Sequence, residues 1–283
     1  MTSPVLTCGP NVLDLSKPAV MGILNVTPDS FSDGGRLNSL DRIVDTAADM
    51  VRDGARVLDV GGESTRPGAT AVGEAEELER VVPAIERLAA RFDVVVSVDT
   101  SKAAVMRNAV AAGATLINDV RALRQPDCLR TAAESGAAVC LMHMRGQPRT
   151  MQRAPRYQSV IAEVRDFLQG RVAACERAGI SRDRLCVDPG YGFGKSLEHN
   201  LQLVAKLDEI SPPDLPLLFG ASRKSSIGQI LNTPVDDRLH GSVAMAVLAV
   251  ERGARIVRVH DVRPTVHALE VAHAVRSVSL DAL

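Results

Sequence analysis

The sequence predicts an α/β fold, one (β/α)8 TIM barrel over residues 1–283, with a short N-terminal hairpin within residues 1–17 closing the barrel floor. Three observations predict it. Short β-branched runs alternate with longer amphipathic stretches from end to end, the rhythm of a βα fold. Eight such units share 283 residues at about 35 residues each, the spacing expected of a barrel of about 250 residues. Polar residues also gather at the C-terminal end of one apolar run after another, where a barrel of this kind builds its site. The same alternation fits a doubly wound open sheet, and the count of eight favours the barrel. No linker, low-complexity segment or break in composition divides the chain.

Residues 5–16 (VLTCGPNVLDLS) supply the hairpin. Barrel strands are expected at AVMGILNV (19–26), RVLDVGGE (56–63), VVVSVDT (94–100) and TLINDV (115–120). They continue at AAVCLMHM (137–144), RLCVDPG (184–190), LPLLFGASR (215–223) and RIVRVHDV (255–262). Near-continuous apolar runs suit parallel strands covered on both faces. Helical stripes lie between them, one through Leu78, Val81, Val82, Ile85 and Leu88, another through Val160, Ile161, Val164, Phe167 and Leu168. Ser39 and Ser196 are expected N-caps, and Gly54 and Gly113 expected helix stops.

Composition excludes several classes of function. Hydrophobic residues make up 46% of the chain, enough for a sizeable core. A net charge of −1 lacks the clustered positive excess that binds nucleic acid, and 2% aromatics cannot build a stacking platform for single strands. No apolar run approaches the ~18 residues of a membrane span, and the first residues do not read as a signal peptide. Five scattered cysteines without a CxxC pair argue against a disulfide framework or zinc ribbon. A cytoplasmic protein with reduced thiols is expected.

The polar strand ends are Asn25, Glu63-Ser64-Thr65, Asp99, Asn118-Asp119, Asp188, Ser222-Arg223-Lys224, and Arg258 with His260 and Asp261. Side chains alternate with period two, so Arg258 and His260 face one way, as do Ser97 and Asp99. Asp119 and Asp261 each adjoin a better inward candidate and are read as structural. Three glycine-rich loops follow strands: NVTPDSFSDGG (25–35), with Asp29 and Asp33, GGESTRPGAT (61–70), and DPGYGFGKS (188–196). Phe31 and Phe193 sit inside such loops and suggest a flat apolar wall for a ring-shaped ligand. In GASRKSSIGQIL (220–231) a strand runs into a short helix near Ser225, a suitable place for a phosphate or a carboxylate. The arginine-rich loop MRGQPRTMQRAPR (144–156) reads as a solvated lid or edge, and His143 as a packed core histidine.

The segments VMGILNVTPDSFSDGG (20–35) and DVGGESTRPGA (59–69) resemble the two signatures of the dihydropteroate synthase family. The resemblance continues through SVDTSK, INDVRAL, CLMHMRGQPRTMQ, DPGYGFGKS, GASRKSSIGQ and RVHDVR, and so spans essentially the whole chain. It implies a (β/α)8 barrel, usually homodimeric and using Mg2+. Such an enzyme joins 6-hydroxymethyl-7,8-dihydropterin pyrophosphate to p-aminobenzoate and is a target of sulfonamides. Carried over by position, Asp99, Asn118, Met142, Asp188, Gly220 and Lys224 would hold the pterin. Asn25 would ligate Mg2+, and Asn25, Thr65, Arg258 and His260 would bind the pyrophosphate. Pro28, Phe31, Arg66, Pro67, Phe193, Lys224 and Ser225 would line the p-aminobenzoate pocket. Asp33 and Asp29, with Lys224, Arg258 and His260, would serve the chemistry of an SN1-like substitution. Tyr191 and Phe219 depart from the family pattern at positions that border the site, neither of them catalytic. The alternatives are a methyltetrahydrofolate-dependent corrinoid methyltransferase, which would need no diphosphate or arylamine site, and a non-catalytic pterin-binding homologue. Assay with each methyl donor separates the first, and Mg2+-dependent pyrophosphate release the second.

Overall fold

A computed structural model describes residues 4–26, 35–64, 72–147, 150–152, 154–212 and 214–278, the side chains of 35–39 excepted. The strands at Ala19–Asn25 (β3), Val57–Gly61 (β4), Val95–Asp99 (β5) and Leu116–Asp119 (β6) pair in parallel with those at Ala138–Met142 (β7), Leu185–Asp188 (β8), Leu217–Phe219 (β9) and Ala254–Val259 (β10). They close in the order β10-β3-β4-β5-β6-β7-β8-β9, the expected eight-stranded barrel. Outward residues such as Leu58, Val60, Val98, Ile117, Leu141 and Val257 pack on the surrounding helices, so both faces of each strand are covered.

The helices are Gly35–Arg52 (α1), Glu74–Arg91 (α2), Ala103–Ala111 (α3), Cys128–Ser135 (α4), Val160–Arg177 (α5), Leu197–Ala205 (α6), Ser225–Leu231 (α7), Leu239–Glu251 (α8) and Val262–Arg276 (α9). Val81, Ile85 and Leu88 on α2, and Val160, Val164 and Leu168 on α5, are buried as their spacing predicts. Ser196 caps α6 in a reciprocal box with His199, worth about 1 kcal/mol. Gly54 and Gly113 follow α1 and α3 with φ of +100° and +112°. Ser39 is a correction: it lies inside α1, four residues after the helix begins, so it does not cap it. The apolar stripe of that helix simply starts later than its backbone does.

Val5–Cys8 (β1) and Asn11–Asp14 (β2) form the antiparallel hairpin. Leu6, Cys8, Leu13 and Leu15 press into the lower barrel against Met21, Val57, Val95, Leu116, Ala138, Cys140, Cys186, Leu218 and Ile256. Each fully buried leucine of the hairpin contributes about 1.5–3 kcal/mol, enough to seal that end as an apolar plug. All five cysteines are buried free thiols. Among the described residues, no helix is long and apolar enough to cross a membrane.

Candidate active site

Two residues up from the plug, the inward positions turn polar. Asp59 follows Val57, Ser97 follows Val95, Asn118 follows Leu116 and Arg258 follows Ile256. Register sets Asp59 beside Ser97, Gly61 between Asn25 and Asp99, Asp99 beside Asn118, and Met142 beside Asp188. A Cβ on Gly61 would stand 3.8 Å from Asp99 Oδ2 and 3.9 Å from Asn25 Oδ1, so those two oxygens converge over the glycine. The strand ends therefore meet at one mouth.

Arg258 joins the acids. Its Nε donates to Asp59 Oδ2 at 2.6 Å and one of its terminal nitrogens to Asp99 Oδ2 at 2.8 Å. Burial works against the Arg258 charge, but the Asp59 and Asp99 carboxylates outweigh it and raise its pKa. For Asp99 burial wins, pushing the carboxyl up to about 7 against the pull of Arg258. Burial likewise raises Asp188, while Lys224 opposes it. Lys224 is pushed down to about 8 by burial, with Asp188 as the largest opposing influence. These buried charges shift one another's pKa values.

Loop 188–196 forms one wall. The Lys224 ammonium donates to Tyr191 O and lies 4.6 Å from the centre of the Phe193 ring. Phe193 packs on Val120, Met142, Met144 and Met151. Beneath the loop, buried Lys195 donates to Gly190 O at 2.8 Å and Phe193 O at 3.1 Å, and meets His143 Nδ1 at 2.9 Å. At the neighbouring ends of β9 and β10, Ser222 Oγ accepts from the His260 backbone N–H at 3.2 Å and lies 3.0 Å from His260 Nδ1.

Asn25, Asp99, Asn118, Met142, Asp188, Phe193, Gly220, Lys224, Arg258 and His260 thus surround one mouth, with Ser225 exposed at the start of α7 beside Lys224. Pro28, Asp29, Phe31, Asp33, Thr65, Arg66 and Pro67 lie outside the described residues. Asp119 is structural as expected, accepting from the backbone of Arg121 and Leu123. Asp261 is structural too, paired with Arg223, which that ion pair draws away from the mouth.

Tyr191 borders the site, its ring 5.8 Å from the Lys224 ammonium, and packs on Phe219 at 5.3 Å within the outer core. The described residues of loop 144–156 are mostly exposed, as an edge requires, while Met151 is buried, Gln152 donates to Gly192 O, and Arg145 stacks on Tyr157. Arg149 and Arg153 lie outside the described residues. His143 is the packed histidine expected, edge-on to Phe167. Sequence reasoning missed Asp59 and Lys195; a lone acid in the apolar run VLDVG was the available signal for the first.

The donor set fits a Mg2+ ion carried on a diphosphate. Such an ion takes one or two protein oxygens and fills its shell with phosphate and water, and the exposed Asn25 amide at the end of β3 offers one beside Asp99. Among the described residues no cluster of three His, Cys, Asp or Glu forms a closed metal cage.

The family model for pterin-binding enzymes matches residues 21–260. A dihydropteroate synthase of Escherichia coli K12 is 56% identical over 265 residues, 94% of each chain. The Yersinia pestis enzyme solved with a sulfonamide drug superposes with a TM-score of 0.92 at 55% identity, covering 97% of this chain and 100% of the other. A Xanthomonas albilineans enzyme solved with 4-aminobenzoic acid does so with a TM-score of 0.92 at 52% identity, covering 98% and 100%. With its mouth of converging acids, amide and cations on a barrel so closely shared, the chain belongs to the dihydropteroate synthase family of pterin-binding enzymes.

Proposed function

We propose that this chain joins 6-hydroxymethyl-7,8-dihydropterin pyrophosphate to p-aminobenzoate, giving 7,8-dihydropteroate and pyrophosphate. One observation carries the reading: the acceptors Asp99, Asn118 and Asp188 share a mouth with the cations Lys224 and Arg258. A 2-amino-4-oxo ring is the complement, with adjacent N–H donors for Asp188 and its neighbours and a carbonyl for Lys224. Met142 and Gly220 border the ring. The Xanthomonas albilineans relative with 4-aminobenzoic acid supports the second substrate. Its ring would lie among Pro28, Phe31, Pro67 and Phe193, and its carboxylate near Arg66, Lys224 and Ser225.

In this reading the bond between the methylene carbon and the diphosphate oxygen breaks first, and its electron pair leaves with pyrophosphate. The electron-rich ring steadies the carbon cation, with Asp33 and Asp29 adding negative charge nearby. Arg258, His260 and Thr65 meet the charge that grows on the departing oxygens. Asn25 would hold Mg2+, which when bound neutralises the same charge as a Lewis acid. The arylamine is neutral at pH 7, so its nitrogen forms the new bond without a base and sheds its proton afterwards.

Incubating the protein with both substrates and Mg2+ should yield dihydropteroate by mass spectrometry, and no product would sink the reading. Asp33→Ala should lower turnover far more than binding of the pterin pyrophosphate. Sulfonamides should compete with p-aminobenzoate. We also infer a homodimer, supported by exposed Leu248 on α8 and Val271 and Val275 on α9; sedimentation at the mass of a monomer would refute it.

A further inference from the structure

The side-chain partners of Asp59 are all parts of the site. It is wholly buried in the middle of β4, one inward step below Gly61. Its Oδ1 accepts from Ser97 Oγ at 2.6 Å, and its Oδ2 accepts from Asn118 Nδ2 at 3.1 Å and Arg258 Nε at 2.6 Å. All three partners donate to it, Arg258 having no acceptor to offer. Asn118 thereby turns its NH2 down to Asp59, which leaves its carbonyl oxygen as the atom that can meet a ligand. Arg258 is fixed in the same way, with Nε held by Asp59 and one terminal nitrogen by Asp99. Two contacts on one planar group set the tilt of the guanidinium.

We infer that Asp59 is a positioning residue for pterin pyrophosphate: from beneath the mouth it fixes Asn118 as an acceptor, which selects a ring edge with an N–H donor, and holds Arg258 in one plane toward the diphosphate. The inference rests on the pterin reading above and deepens it. Asp59 meets no substrate itself. Its influence passes through Asn118 and Arg258, so it should bear on the pterin and leave the arylamine site, formed on other loops, alone.

Asp59→Asn keeps the shape and removes the compulsion, because an amide can present either a donor or an acceptor to Asn118. The expected result is a KM for the pterin pyrophosphate raised at least tenfold, about one charge-assisted hydrogen bond, with the KM for p-aminobenzoate nearly unchanged. In a double-mutant cycle, Asn118→Ala should cost less in the Asp59→Asn background than in the wild type. Should that variant fail to fold, Ser97→Ala frees Oδ1 while keeping the charge, and should raise the pterin KM by roughly threefold. Equal rises in both KM values, an additive cycle, or a lowered melting temperature with both KM values intact would each overturn the assignment. A wild-type protein that makes no dihydropteroate overturns the functional reading and this role together. A working wild type whose variants keep their pterin KM overturns this role alone.

Discussion

Acid should destabilise this barrel through His143, and His143→Gln should remove that part of the sensitivity. The imidazole is buried, at 6% exposure, with Nδ1 2.9 Å from the Lys195 ammonium and its ring edge-on to Phe167. Lys195 donates to Gly190 O and Phe193 O, and a doubly protonated imidazole would put a positive ring against it. Burial first, and Lys195 next, push the pKa of His143 from 6.5 down to about 2. Below pH 6.5 the unfolded chain takes up a proton that the native state refuses, so native stability falls as the pH falls. Each pH unit in that window is worth about 1.4 kcal/mol, or about 2 kcal/mol between pH 6.5 and 5. Asp99 acts in the opposite sense, since its pKa is raised to about 7: it binds a proton more readily when folded, and that contribution is lost as the pH rises. The whole-protein curve mixes the two, and the difference between wild type and variant isolates His143. Glutamine keeps an oxygen for Lys195 and does not titrate. Urea unfolding should show the His143→Gln variant carrying a fixed penalty at pH 7.5, from lost packing on Phe167, that shrinks by about 2 kcal/mol by pH 5. Parallel curves for the two proteins would refute a neutral, proton-refusing His143.

Lys195→Met should leave Gly190 O, Phe193 O and His143 Nδ1 without their donor while relieving a desolvated charge. The net loss should be about 2–4 kcal/mol, seen as a thermal midpoint lowered by roughly 5–10 °C, and an unchanged midpoint would show the ammonium to be dispensable. Gly190→Ala should fail to accumulate as folded protein, because its Cβ would fall 1.8 Å from His143 O at a φ of +69°. Gly179→Ala has a φ of +91° but nothing within 4 Å among the described residues, so it should cost only about 1–2 kcal/mol by chemical denaturation. Similar losses for the two variants would mean that backbone strain, and not the collision, governs position 190.

The barrel strands were legible because strands covered on both faces need near-continuous apolar runs, and such runs survive without knowledge of their neighbours. Asp99, Asp188, Arg258 and His260 stood out because each interrupts its run at the end. Asp59 interrupts its run in the middle, and its partners lie 38, 59 and 199 residues away, so only register reveals them. Lys195 reads in sequence as one more solvated lysine of a glycine-rich loop. It is buried because Gly190, Gly192 and Gly194 all take positive φ, folding the loop so that the Gly190 and Phe193 carbonyls meet the ammonium.

The charged network does not owe its place to stability. Removing one partner of a buried ion pair costs about 3–5 kcal/mol, yet replacing the whole pair with well-packed apolar groups is often neutral or stabilising. The barrel contains its own demonstration of the apolar solution two residues below, at Val57, Val95, Leu116 and Ile256. The step from Val57 to Asp59, Val95 to Ser97 and Asp99, Leu116 to Asn118, Cys186 to Asp188 and Ile256 to Arg258 and His260 repeats one pattern on five strands. In each, an apolar residue faces the plug and a polar one faces the mouth. That pattern depends on a period of two. Deleting one residue within β4 would turn Asp59 toward the helices, strand its charge in the outer core, and leave Arg258 and Asn118 unanchored. Selection for this arrangement therefore acts on register as much as on residue identity, and the apolar plug supplies the stability that the mouth gives up for chemistry.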